Sequence, residues 1–296
     1  MKNNKYEIDM CNGTLMDKLI SFSLPLMLSG ILQLLFNAVD IIVVGRFTGS
    51  QALAAVGSTT ALINIFTNLF IGISLGANVL AARFYASGKE KEMSETVHTS
   101  ITLALISGLV MALAGVLLAR FALNLMGTPN DVIDQSVLYM RIYFLGMPFF
   151  MLYNYGAAIL RAVGDTKRPL FFLVISGMTN AVLNLVLVIV FHMGVAGVAI
   201  GTIVSQLISS ILVLRCLYTS NTSYRLYFSK LGIKTQYLKQ IFQVGIPAGI
   251  QSTVINLSNA LLQSSVNSFG SVAMAGYTAA NNIFGFLYVA VNSVTQ

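Results

Sequence analysis

Leu19 to Gly45 reads LISFSLPLMLSGILQLLFNAVDIIVVG, a run apolar enough to cross a bilayer that still holds two residues a bilayer disfavours, Pro25 and Asp40. A helix over residues 17–44 rises ~40 Å at about 1.5 Å per residue, more than the ~30 Å hydrocarbon core, so it crosses with a tilt or a bend. Pro25 offers no N–H to the Ser21 carbonyl and its ring crowds that turn, which marks a candidate hinge. Asp40 lies at hydrocarbon depth, where a carboxylate costs about 2.5 kcal/mol or more unless it is protonated, paired or turned to a wet cavity. It is a functional candidate on that ground, against the plainer role of anchoring the outer end of a helix. Ser29, Gln33 and Asn37 recur on its face at spacings of three and four, so the stripe looks toward protein or water.

The rest of the chain has the same character. Of its 296 residues 56% are hydrophobic and 9% charged, and a mean hydropathy of +0.79 excludes a water-soluble domain. Continuous apolar runs, in place of short alternating segments, exclude a β-barrel, leaving an all-α polytopic membrane protein. The pattern predicts eight helices at about 17–44, 54–85, 94–125, 132–161, 169–192, 196–218, 238–268 and 275 to the end. Gly45 to Ser50, Gly127-Thr128-Pro129-Asn130 and Gly164 to Pro169 supply the turns. The polar start, MKNNKYEIDMCNGTLMDK, has no cleavable-signal pattern, so the first helix directs insertion.

With the N-terminus in the cytoplasm, fourteen Lys and Arg fall on that side, against only Arg46 and Arg120 outside and Arg141 near the outer end of the fourth helix. That asymmetry sets the orientation of a multi-pass cell-membrane protein. It also accounts for the +7 net charge, which is dispersed over short loops and forms no nucleic-acid groove. Cys11 and Cys216 share the reducing side, so no disulfide or metal framework is expected. Thr219 to Gln236 is one long basic, tyrosine-bearing linker at the cytoplasmic interface.

A weak internal repeat follows. Pro25 and Asn37 match Pro247 and Asn259, 222 positions later, and Gly49, Ser50, Ala52 and Ala54 match Gly270, Ser271, Ala273 and Ala275, 221 later. The preserved order predicts parallel six-helix lobes. The expected division is an N-lobe over 1–218, an interlobe linker over 219–236, and the first two helices of a C-lobe over 237–296. A complete two-lobe molecule would have about 442 residues, twice the repeat.

Depth selects neighbours for Asp40. Asn184 in the fifth helix and Thr202 in the sixth lie within roughly 8–12 Å of the same outer boundary, and Ser176, Asn180 and Asn184 share one face. A carboxylate among amide and hydroxyl oxygens takes a proton or ligates Na⁺; interhelical hydrogen bonding is the plainer role of each Asn and Thr. A second stripe, Thr60, Asn64, Thr67, Asn68, Ser74 and Asn78, follows helix two, and Ser252, Asn256, Asn259 and Gln263 follow helix seven. With Gln33, Asn37 and Asn154 these are candidates to line a central cleft, where Tyr153, Tyr155 and methionines offer adaptable surface to bulky ligands. Gly72-Ile73-Ser74-Leu75-Gly76 spells a hydrolase nucleophile motif, but it lies inside an apolar helix with no histidine near, so no enzyme is expected.

These features together resemble the multidrug and toxic compound extrusion (MATE) transporters. The likeness covers nearly the whole chain and is carried by Pro25 through Asp40, Ala82-Arg83-Phe84-Tyr85 with Gly88-Lys89-Glu90-Lys91, Tyr139-Met140-Arg141-Ile142, Leu160 through Pro169, and Val195-Ala196-Gly197-Val198-Ala199. It implies a monomeric twelve-helix antiporter without cofactors that exports bulky, often cationic drugs in exchange for H⁺ or Na⁺. It also implies a cation-coupling site on Asp40, Asn180, Asn184 and Thr202. This sequence departs from the family's pattern at Asn184, where such members commonly carry aspartate, and at Ile255, near the place of an acidic residue in another branch. The alternatives are a flippase or exporter of lipid-linked saccharides in the same superfamily, or a non-transporting half-length membrane protein.

Overall fold

The computed structural model describes residues 14–128 and 130–267 together with Phe284, Tyr288 and Val291. The helix expected from 275 onward lies outside the described residues. The described residues form helices and no strand: α1 (Leu15–Phe47), α2 (Ser50–Ala86), α3 (Glu90–Leu125), α4 (Ile133–Leu145), α5 (Met147–Ala162), α6 (Lys167–Leu185), α7 (Gly194–Thr219) and α8 (Thr235–Asn267). Five of them are long and apolar enough to cross a membrane, and α4 with α5 makes a sixth span if the bent pair is counted as one. The chain is a multi-pass membrane protein.

Its hydrophobicity is arranged for lipid. On α3, Leu109, Leu113, Leu117 and Phe121 repeat every fourth residue and all stand 60% or more exposed. One helix face is therefore an outward apolar stripe, a patch that would drive aggregation in water and is at home in acyl chains. The inward faces carry small and polar residues instead. α5 lies at the centre, packed by α2, α3 and α7, with Met147, Met151, Tyr155, Ala157, Ile159 and Leu160 fully buried. α6 pairs with α7, and α1 leans on α6.

The fourth span is not the single helix 132–161 that its continuous apolar pattern predicts. It breaks at Gly146 with a 46° bend between α4 and α5. Pro148 is the cause: it has no N–H for the Phe144 carbonyl, and its ring excludes a straight helix. The bend is held by α3, where a side chain on Gly108 would come within 2.5 Å of the Pro148 Cα. α6 likewise ends in a wide π turn, Val186–Val190, which starts two residues past Asn184.

Sharp helix ends set the corners. At Gly88 (φ +65°) and Gly164 (φ +84°) the chain turns through the left-handed region, and the next residue's N–H reaches back five positions, Lys89 to Phe84 and Asp165 to Leu160. That closure satisfies the last helical carbonyls, and a side chain there would cost about 1 kcal/mol or more.

The linker after α7 is docked on the bundle. Tyr224 and Leu226 are fully buried, the Tyr227 N–H donates to His98 Nε2 at 3.0 Å, and the Lys234 N–H donates to Thr99 Oγ1 at 3.3 Å. The buried Asp165 carboxylate accepts from the Arg168 backbone N–H and guanidinium, and that guanidinium reaches Cys216 Sγ at 3.1 Å and Tyr224 OH at 3.4 Å. The start of α6, the end of α7 and the linker are thus tied at one charged centre.

α8 then returns along α2 through a glycine seam. A Cβ on Gly72 would lie 2.2 Å from the Gly249 Cα, and one on Gly245 2.5 Å from the Ile73 Cα. Gly72-x-x-x-Gly76 meets Gly245-x-x-x-Gly249, the small-residue spacing that lets two membrane helices touch backbone to backbone. The hydrolase-like spelling on α2 is a helix-packing motif.

Candidate functional site

α1, α6 and α7 converge because two glycines leave room. The Phe36 ring of α1 sits where a Gly177 side chain would be, and a Cβ on Gly201 of α7 would lie 2.2 Å from Asn184 Oδ1. With both positions empty, three helices bring polar side chains to one place inside the membrane-spanning region.

There the four residues proposed from depth and resemblance meet in a chain. Asn184 Nδ2 donates to Asp40 Oδ1 at 2.5 Å and to Asn180 Oδ1 at 3.2 Å. Asn180 Nδ2 donates to Thr202 Oγ1 at 3.4 Å, and Thr202 donates to the Val198 carbonyl at 3.0 Å. Asn184 is fully buried and Asn180 nearly so, while Asp40 and Thr202 keep partial exposure. Asp40 is therefore the accessible end and Asn184 the sealed centre.

One atom is out of place. Asn184 Oδ1 is buried without a hydrogen-bond partner, a condition that costs about 1–3 kcal/mol. Its amide gives both hydrogens to oxygens and leaves its own oxygen against Gly201. Turning that amide by 180° would direct Oδ1 toward Asp40 and Asn180, completing three oxygens beside the Thr202 hydroxyl. Such a set suits a hard cation, or a protonated Asp40 whose O–H donates to the amide oxygen.

Sequence reasoning did not place α4 here. Tyr139 and Tyr143, one turn apart with ring centroids 6.0 Å apart, stand on α4, which packs against α7. A cavity of about 10 Å³, room for one water, opens beside Thr202 between Tyr143, Gly146, Met147, Phe150, Ile203 and Gln206. The available signal was the i, i+4 spacing of two tyrosines in an apolar helix.

The other candidates do not join this centre. Pro25 is buried inside an α1 that continues without interruption, and Ser29 Oγ donates to its carbonyl at 2.8 Å. Gln33, Asn37 and Asn64 are exposed and Asn68 is half-buried. Asn154 donates to the Phe150 carbonyl within α5 at 2.8 Å. Thr60, Thr67 and Ser74 also bond back to their own helix, whereas Asn78 crosses to the Ala158 carbonyl at 2.9 Å. The side chains of Asn256 and Asn259 lie outside the described residues. No group of three His, Cys, Asp or Glu capable of holding a metal occurs among the described residues.

Residues 25–186 match the model of the MatE family, more than half of the chain. The chain is 34% identical over 275 residues to the probable multidrug resistance protein YoeA of Bacillus subtilis (strain 168), which covers 90% of this chain and 59% of that relative. It is 29% identical over 275 residues to the probable multidrug resistance protein YpnP of the same organism, covering 93% and 61%. A solved structure described as the outward-facing conformation of a multidrug resistance MATE family transporter of the MOP superfamily superimposes with a TM-score of 0.91 at 23% identity, over 99% of this chain and 65% of that one. The chain spans about 60% of the length of the curated relatives it matches.

Proposed function

The chain belongs to the MatE family, and from that premise we propose that the protein exports bulky, cationic organic compounds across the cell membrane in exchange for H⁺ or Na⁺, with Asp40 as the coupling carboxylate. The observation that carries the reading is the Asp40–Asn184–Asn180–Thr202 chain with its unpartnered amide oxygen. An ionised carboxylate in this setting is held by the Asn184 N–H. When H⁺ or Na⁺ arrives, the charge is neutralised, the Asn184 amide turns, and its oxygen gains a partner. Both steps alter how α1 is held against α6 and α7. Pro25, deep in α1, is the place where that helix yields.

Exchange follows if the ion binds the two conformations of α1 with different affinity, because the coupling free energy equals that difference and is shared with the substrate. Gln33 and Asn37 on α1, Asn64 and Asn68 on α2, and Asn154, Asn256 and Asn259 are proposed to line the substrate cleft. Residues 1–218 form the first lobe, 219–236 the linker and 237–296 the start of a second lobe. The N-terminus is proposed to face the cytoplasm, as the basic loops require, and the whole protein to act as a monomer.

The test is transport of ethidium by the protein reconstituted in liposomes under an imposed proton or sodium gradient. The expected result is gradient-driven movement that Asp40→Asn abolishes while the variant still folds and elutes as the parent does. Undiminished transport by a folded Asp40→Asn protein would sink the proposal.

A further inference from the structure

Away from the α1–α6–α7 centre, at the end of the bundle where α2 turns into α3, an open cavity of about 1000 Å³ lies between the start of α3 and the linker. Its walls bring together Lys91, Arg225, Lys230 and Lys234 with only Glu90 and Glu95 as counter-charges. The ion pairs of the described residues lie elsewhere, at Arg120–Asp134 and Arg168–Asp165. Four cations therefore face one space that holds only two carboxylates, an excess of positive charge that mutual repulsion opposes.

The fold enforces it nonetheless. Tyr227 is pinned by its N–H to His98 Nε2 and by stacking on the His98 ring, 6.2 Å between centroids at 10°. His98 is itself fixed by the bond from Nδ1 to the Ser94 carbonyl at 2.6 Å. On this pinned ring the Arg225 guanidinium sits 5.1 Å and the Lys230 ammonium 4.8 Å from the centroid. One tyrosine thus gathers two cations on the cavity wall. Arg225 also reaches Asn221 Oδ1 at 3.4 Å, yet its Nε is buried without a partner. The α3 N-terminus opens on the same space with no side-chain cap, but Glu90 and Glu92 in its first turn offset the helix-end potential, so the positive excess comes from the side chains.

We propose that this cavity binds a phosphate-bearing anion with hydroxyl groups, a glycerophosphate headgroup or its soluble counterpart. The cations take the phosphate, and Glu90 and Glu95 accept from the hydroxyls. The position suits a headgroup, because it lies just beyond the apolar lengths of α3 and α7, where anionic lipid phosphates stand. The proposal does not depend on which ion drives transport or on whether Asp40 couples it.

The test is native mass spectrometry of the purified full-length protein with phosphatidylglycerol, phosphatidylcholine and sn-glycerol 3-phosphate. The expected result is retention of phosphatidylglycerol over phosphatidylcholine, weakened about 30-fold in Lys91→Gln/Lys230→Gln, at about 1 kcal/mol for each cation removed. Both lysines are exposed, so the double variant keeps its fold; Lys91→Arg/Lys230→Arg should bind as the parent does. If glycerol 3-phosphate displaces the lipid, the natural ligand is the soluble ester; if it does not, the ligand is the lipid. Equal binding of the two lipids, or unchanged binding by the glutamine variant, would overturn the assignment.

Discussion

Asn184 is the residue on which the site turns, because it is fully buried and its amide oxygen has no partner while its nitrogen serves both Asp40 and Asn180. Gly201 is what lets it stand there, with the missing Cβ only 2.2 Å from that oxygen. Gly201→Ala should therefore push the amide out of line and weaken ion-driven ethidium transport at least about fivefold, the smaller end of the ~1–3 kcal/mol that overpacking costs, with expression unchanged. Transport at the parent rate would mean that the amide's position is irrelevant. At this scale much was legible. Hydrocarbon depth alone brought Asp40, Asn184 and Thr202 to one level, since helical rise converts sequence position into height. Depth carries no azimuth, however, so it could not show that Asn184 offers Asp40 a hydrogen, or that Tyr143 lines a cavity with Thr202. Rotation about the helix axis is fixed by packing, and here by Gly177 and Gly201.

At the scale of elements, the contact of α2 with α8 is made by backbones. A side chain at Gly72, Gly76, Gly245 or Gly249 would meet main-chain atoms of the facing helix within 2.6 Å, whereas Gly57, also in α2, has nothing within 4 Å. Gly72→Ala should lower the melting temperature in detergent and raise protease cleavage in the 219–234 linker as α8 is levered off. Gly57→Ala should hold or raise the melting temperature, since a helical glycine costs roughly 0.5–1 kcal/mol relative to alanine. Equal melting of the two variants would contradict the seam. The glycines were visible in the sequence as a motif, but a motif on one helix does not name its partner; the match between two seams appears only once α8 is laid along α2. The broken fourth span has a similar lesson. Its apolar pattern is continuous from α4 into α5, so periodicity reads one helix, and the decisive evidence was the single Pro148 together with the space left at Gly108. The linker's basic, tyrosine-bearing composition placed it at the cytoplasmic interface but did not show its docking: Tyr224 and Leu226 are fully buried, and His98 and Thr99 on α3 supply partners for its backbone.

For the whole molecule, lipid-facing apolar stripes, sharp glycine corners and an inward polar centre compose a bundle in which one carboxylate stands between α1 and the α6–α7 pair. The fold was legible as a class from composition and run length, and the family from ordered motifs, because a membrane restricts backbones to helices whose lengths it dictates. The central claim is that ion and substrate are linked through Asp40, and linkage is reciprocal in binding free energy. The most direct measurement is the affinity of the purified protein for ethidium, titrated once against Na⁺ at fixed pH and once against pH without Na⁺. The account predicts that one of the two ions changes the affinity of the parent protein and that the dependence disappears in Asp40→Asn. An affinity that neither ion changes in the parent, or a dependence that survives in Asp40→Asn, would contradict it.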